Sequence, residues 1–353
     1  MREYSRAADL GSVDTDPDTL LRFVLEPLPT CTYLGCGRSF VVTVSHSPRY
    51  AWIDGRIVEW ADARLHVDTQ CVLGGLNAYE VIGAFRSRAS DNLYLFRVDE
   101  HLRRLRLSAK VMRLGLSFSD EELTDGARRL VAANEFREDV SLRIVAYFGA
   151  GPIFSYLPKD IPTGVFMVAK PLAANPHPGG LHVCTSGWHR LPDAAAPPRV
   201  KAGANYHNVR LAQIQAMVDG YDDAVLINLM GKVCELPLSN LFLVRSGVVS
   251  TPDTASGILE GITRQTILDL GRQLGTEIVE RTIDRSELYA ADEVFATTTL
   301  TGVTPILSID RYPVGDGTPG PMTIRLGASL EEAMRNPRDP EWATPVYEGR
   351  GSS

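Results

Sequence analysis

Only five lysines occur in the chain, Lys110, Lys159, Lys170, Lys201 and Lys232, against 31 arginines. Chemistry that needs a primary amine therefore has five candidates, and one is set apart by its surroundings. Lys201, in RVKAGANYHN, follows a proline pair, sits among small residues just before a helical pattern, and has the phenol of Tyr206 five residues on. A carboxylate, Glu235 in CELPLSNLF, falls at a strand end between an apolar run and a turn. Two further segments, LEGITRQT and TTTLTGVTP, are rich in Gly and Thr and read as loop-to-helix junctions. Free N–H groups and the positive end of the helix dipole converge on an anion at such a start, so each can cradle a phosphate.

Taken singly, each feature has an ordinary alternative. Loop lysines are mostly solvated, turn carboxylates cap backbone, and Gly/Thr starts serve as generic N-caps. Taken together, they supply an amine for a Schiff base, an acid for a ring nitrogen, a phenol for a ring oxygen and sites for a phosphate. Those are the groups that pyridoxal 5′-phosphate (PLP) requires of a protein.

The elements that must position these groups are legible as patterns. AWIDGRIVEW reads as two short strands around an Asp54-Gly55 turn, and NAYEVIGAF and NLYLFRV alternate as strands. DEHLRRLRLSAKVMRLGL places Leu102, Leu105, Ala109 and Met112 at helical spacing, and a second helix opens at Ser119 with Glu122 at capping-box distance. VSLRIVAYFG and TGVFMVAKPL complete this first unit. PLAANPHPGG (171–180) loses all periodicity and is the best linker. Beyond it come the strand GLHVCTSGW, the helix NVRLAQIQAMVDG, hairpins through DAVLINL and NLFLVRSGVVSTP, the helix TRQTILDLGRQLG, and a strand, helix and strand in EIVERTI, RSELYAAD and DEVFATTT. The expected organisation is an N-terminal extension (1–48), a small α+β domain (49–174), a larger domain of mixed sheet with helices (175–340) and a C-terminal tail (341–353). The fold class is α+β or α/β.

Composition narrows the partners. With 353 residues, 44% hydrophobic and 22% charged, the chain can bury a sizeable core. A net charge of −7 without any like-charge block argues against nucleic acid and anionic membranes, leaving a small molecule as partner. Cys31, Cys36, Cys71, Cys184 and Cys234 are odd in number and widely spread, so neither a metal site nor a disulfide framework is expected. Reduced thiols, an acidic N-terminus without an apolar core and no apolar run of membrane-spanning length predict a cytoplasmic protein.

From about Trp52 to Met334 the sequence resembles the fold-type IV, branched-chain-aminotransferase-like family of PLP enzymes, a two-domain fold. The resemblance implies that Lys201 carries the cofactor as a Schiff base and acts as the catalytic base, that Tyr206 contacts the ring oxygen, and that Glu235, in ELPLSNLF, pairs with the pyridine nitrogen. It implies a phosphate site from Gly261, Ile262 and Thr263 of GITR, Thr299 of TTTLTGVTP, and Arg104 of FRVDEHLRRL. Tyr79, Val81, Arg143 and Leu300 fall where the family meets its substrate, with Arg143 placed to receive a carboxylate. The implied activity is ping-pong transfer of an amino group from an amino acid or amine to a 2-oxo acid by a homodimer. Within the same scaffold the alternative is a lyase of the aminodeoxychorismate type, and outside it a non-catalytic PLP-binding scaffold protein. Where the family's strand often carries a tyrosine, a glycine and an arginine, this chain has Gly74, Val81 and Gly83, which predicts a donor other than the branched-chain amino acids.

Overall fold

The computed structural model describes residues 47–151, 161–336 and 341–347. The expected N-terminal extension falls almost wholly outside them, as do Cys31, Cys36 and Lys159.

Strands β1 (Tyr50–Ile53) and β2 (Arg56–Glu59) pair in register around Asp54 and Gly55, whose φ angles of 46° and 89° are the two positive values a tight two-residue hairpin demands. A one-turn helix α1 (Gln70–Gly74) leads into the long strand β3 (Asn77–Arg86), followed by β4 (Leu93–Phe96). Helices α2 (Val98–Val111) and α3 (Asp120–Ala133) come next, the latter opened by the capping box in which Ser119 and Glu122 satisfy each other's backbone N–H. Strands β5 (Val140–Phe148) and β6 (Thr163–Pro171) close an antiparallel sheet of order β4-β3-β5-β6-β1-β2. Its inner face, Ala78, Ile82 and Ala84 of β3 with Leu142 and Ile144 of β5, is buried against Leu102, Leu105 and Ala109 of α2 and Leu123 and Leu130 of α3.

After residues 172–180, where no element forms, the chain builds a second, mixed sheet. Its members are β7 (Leu181–Thr185), β8 (Asp223–Val225), β9 (Asn240–Arg245), β10 (Val248–Pro252), β11 (Ile278–Arg281), β12 (Glu293–Thr298) and β13 (Gly302–Ile309), with the short β14 (Tyr312–Pro313) on β13. The spatial order is β11-β10-β9-β12-β13-β7-β8, with parallel pairs β10/β11, β13/β7 and β7/β8. Helix α4 (Tyr206–Val218) lies on β8, and α5 (Ile262–Gln273) and α7 (Pro321–Arg335) pack on the sheet, with the single turn α6 (Arg285–Tyr289) before β12. The two sheets meet in an aromatic core: Phe85 and Phe96 of the first join Phe242 and Phe295 of the second, the latter pair stacked at 4.9 Å.

Two expectations need correction, and one element had none. TTTLTGVTP does not open a helix; residues 299–301 turn between β12 and β13, because the alternating residues after Gly302 pair back on Glu293–Thr298. Ala343–Pro345, in the segment expected to be a tail, forms β15 and extends the first sheet along β4. The helix α7, with Leu326, Leu330 and Met334 buried at helical spacing, was not singled out in the sequence.

Candidate active site

Lys201 is fixed by backbone before its side chain does anything. Its carbonyl accepts from Tyr79 N in β3 at 2.9 Å, its N–H donates to Ser108 Oγ of α2 at 3.0 Å, and Ala202 bridges to Ala78. The residues that lead into α4 are thus strapped to the first sheet. The Nζ of Lys201 then reaches the Oη of Tyr206 at 2.7 Å, and the ring of Tyr79 stands 4.8 Å from the same nitrogen. Tyr79 and Tyr206 meet with ring centroids 5.2 Å apart, and burial pushes the Tyr79 phenol up, which keeps it neutral.

Glu235 lies between β8 and β9 and is buried. One carboxylate oxygen accepts from Asn240 Nδ2 at 2.9 Å, and both face the N–H of Leu259 at 3.2 and 3.1 Å. Arg190 approaches with Nε 3.0 Å from Oε1, but its N–H is not aligned on an acceptor, so the contact is an ion pair rather than a hydrogen bond. Burial raises the carboxyl to about 7, Arg190 and the Leu259 N–H pulling the other way. Such a group is poised to exchange a proton or to hold a cationic ring nitrogen.

A third cluster forms around the start of α5. Arg104 binds Glu80 with Nε and a terminal nitrogen, both at 2.7 Å, and donates its other terminal nitrogen to the carbonyl of Glu260 at 2.8 Å. Burial would raise Glu80, but Arg104 and His101 outweigh it and hold the carboxyl at about 2. His101, 2.7 Å from Glu80, is itself lowered by burial; neutral, it donates Nδ1–H to the carboxylate. Gly261, next to Glu260, is the N-cap of α5, and no side chain caps that helix. A Cβ on Gly261 would stand 1.8 Å from Asn240 Oδ1, so only glycine allows the approach. Ile262 and Thr263 open the helix with unbonded N–H groups, and the hydroxyls of Thr263 and Thr299 make no hydrogen bond among the described residues. A fixed cation, an uncapped helix start and free hydroxyls fit a phosphate. With the amine, the phenol and the buried acid, the donor set fits PLP.

Residues 259–261 join two of these clusters, since Leu259 binds Glu235 and Glu260 binds Arg104. Thr299 and Leu300, in the β12–β13 turn, are tied to none of them by a hydrogen bond. The outer face of the first sheet supplies a cavity of ≈ 640 Å³ lined by Tyr79, Ser141, Arg143, Lys170, Tyr206 and Trp60 among others. Cross-strand register makes its floor a grid: Tyr79–Val145–Phe166, Val81–Arg143–Val168 and Gly83–Ser141–Lys170. Val81 lies beside Arg143, whose guanidinium is 5.2 Å from the Tyr79 ring. At Gly83 a Cβ would stand 2.3 Å from Phe85 Cζ, so an aromatic ring occupies the space that any side chain there would need.

Glu80, Arg190 and Ser108 hold the site but were not found in the sequence, and Asn240, within ELPLSNLF, was given no role there. Glu80 alone left a signal, a lone acid on the inward face of a strand otherwise reading Ala78, Ile82, Ala84.

The family model for class IV amino-transferases matches residues 78–309. A protein of Aquifex aeolicus named "Probable branched-chain-amino-acid aminotransferase" is 35% identical over 311 residues, 86% of this chain and 99% of its own. The Escherichia coli branched-chain-amino-acid aminotransferase is 32% identical over 297 residues, 83% of this chain and 95% of its own. The crystal structure of a branched-chain amino acid aminotransferase from Thermobaculum terrenum in its PLP form superposes with a TM-score of 0.80 at 38% identity, covering 86% of this chain and 99% of that one.

Proposed function

The chain belongs to the class IV aminotransferases, PLP-dependent enzymes, and from that premise we propose a ping-pong transfer of an amino group from an amino acid or amine to a 2-oxo acid. The observation that carries this reading is the amine of Lys201 held 2.7 Å from the Tyr206 phenol at the head of a substrate-sized cavity. Bound PLP supplies an electron sink for the pair left when a substrate loses its Cα proton. The residues then divide the work. Lys201 Nζ binds the cofactor and moves the proton at Cα, while Tyr206 Oη orients that nitrogen. Glu235 holds the ring nitrogen protonated, with Arg190 and Asn240 fixing its carboxylate. Thr263, Thr299, the start of α5 and Arg104 hold the phosphate, Glu80 locking the guanidinium in place.

The relatives are named for branched-chain amino acids, but the cavity floor supports a different donor. Arg143 stands in its middle row with the Val81 side chain beside it, and Phe85 covers Gly83. A polar or charged side chain suits this floor better than a branched aliphatic one, so L-valine, L-leucine and L-isoleucine are expected to be poor donors. Exposed apolar residues near the cavity, Val72 and Leu73 on α1, support a homodimer that covers them. No described helix is long and apolar enough to cross a membrane.

Purified enzyme should absorb as bound PLP. Titrating L-, D- and β-amino acids and amines for bleaching of that band, then adding 2-oxoglutarate and measuring glutamate, tests cofactor, donor and reaction together. Release of pyruvate from aminodeoxychorismate in place of glutamate formation would replace the transferase by a lyase.

A further inference from the structure

The grid on the cavity floor works as a ruler. Its first row faces the reactive amine, since the Tyr79 ring is 4.8 Å from Lys201 Nζ. Each row lies two residues, roughly 6.6 Å, further along the strands. Arg143 stands one row out and leans back over Tyr79, its Cζ 5.2 Å from the ring. Lys170 stands two rows out on the neighbouring strand and leans the other way, its Nζ 5.6 Å from the Trp60 ring at the far edge. Between them Ser141, directly opposite Lys170, is too small to close the space. Neither cation forms an ion pair with a carboxylate among the described residues, in a chain whose 43 acids outnumber its 36 bases. Two unpaired cations of the same sign on one cavity floor repel each other and draw an anion.

We propose that Lys170 is a specificity-determining residue that receives a second carboxylate, one carried further from the reacting carbon than Arg143 reaches. The preferred oxo acids and amino acids are then diacids with more than five carbons in the chain. The ammonium is a point charge on a flexible stem and needs no bidentate geometry, so it tolerates a range of chain lengths where a guanidinium would fix one. The Trp60 ring, 5.6 Å from that ammonium, offers it a cation–π neighbour at the cavity's outer end. This inference rests on the aminotransferase reading.

The test compares wild type, Lys170→Met and Lys170→Arg as PLP-loaded enzymes with 2-oxoglutarate, 2-oxoadipate and 2-oxopimelate as acceptors for one amino donor. Binding of pimelate, a seven-carbon dicarboxylate that cannot react, is measured in parallel by calorimetry. We expect wild type to prefer the two longer acids. The Met variant should lose about tenfold in kcat/KM for them, the size of one charge-assisted contact, and far less for 2-oxoglutarate. Pimelate binding should weaken in step, and the Arg variant should recover both. Equal effects on all three acids, no effect on pimelate, or a wild type that prefers 2-oxoglutarate would overturn the role of Lys170 and leave the aminotransferase standing. A wild type whose PLP band responds to no amino compound would overturn both.

Discussion

At the scale of single residues the site is governed by which charges burial leaves uncompensated. Glu235 and Asp223 are both raised to about 7, burial being the main cause in each. A carboxyl that holds its proton more tightly folded than unfolded stabilises the fold fully below its ordinary range, and that stabilisation is lost as pH rises through the folded value. His101, held down by burial, contributes the opposite slope over the same interval, so the expected effect is a difference: as pH is raised from ordinary carboxylate values to about 7, the cofactor-free wild type should lose melting temperature relative to Glu235→Gln and to Asp223→Asn. Variants whose pH slope matches that of the wild type would contradict both assignments. Lys201→Ala should abolish transamination without lowering the melting temperature of the cofactor-free protein, because its backbone does the anchoring. Turnover near the wild-type rate would exclude it, and Lys170 would be the next amine to test. Arg190→Met leaves Glu235 buried without its cation, which should cost about 3 to 5 kcal/mol in denaturant unfolding. The residues proposed to do chemistry, Lys201, Tyr206 and Glu235, stood out in the sequence because each sits in a distinctive segment. Arg190 was not: the chain around it has no periodicity, and only the long-range fold buries it.

At the scale of elements, two glycines set the geometry. Gly261 brings the start of α5 against Asn240, and a Cβ 1.8 Å from Oδ1 has nowhere to go. Gly261→Ala should therefore loosen both the phosphate cradle and the Glu235 clasp; we expect PLP to leave faster on dialysis, by about tenfold or more in affinity if one charged hydrogen bond is lost. Retention at the wild-type rate would show that the helix start does not hold the phosphate. Gly83→Ala forces Phe85 off its seat between the two sheets and should cost about 1 to 3 kcal/mol of stability, the usual range for overpacking. The strands and helices themselves were mostly legible, since alternation marks β3 and β5 and the capping box marks α3. The β12–β13 turn was misjudged because Thr and Gly favour turns and helix starts alike, and only the pairing partner, distant in sequence, decides between them.

At the scale of the whole molecule, the two sheets are not joined by the linker alone. The aromatic core of Phe85, Phe96, Phe242 and Phe295 lies between them. Residues expected to trail away return to the first sheet: Arg97 donates its N–H to the Trp342 carbonyl at 2.7 Å, and its guanidinium lies 4.6 Å from the Trp342 ring. The stretch between the two sheets, residues 172–180, stands out by its Pro and Gly content, yet the contacts that cross it were not legible, because they pair residues far apart in sequence, 93 positions in the case of Ser108 and Lys201. The lysine strap is one of them. Since the Tyr79 amide has Lys201's carbonyl as its acceptor, deuterium uptake at that single amide clocks the detachment of the lysine segment from β3 with no label on the lysine itself. Slow uptake with and without PLP would mean that the segment is locked before the cofactor arrives, so that loading selects a finished cradle; uptake that slows only on loading would make the cofactor the last fastener between the two sheets.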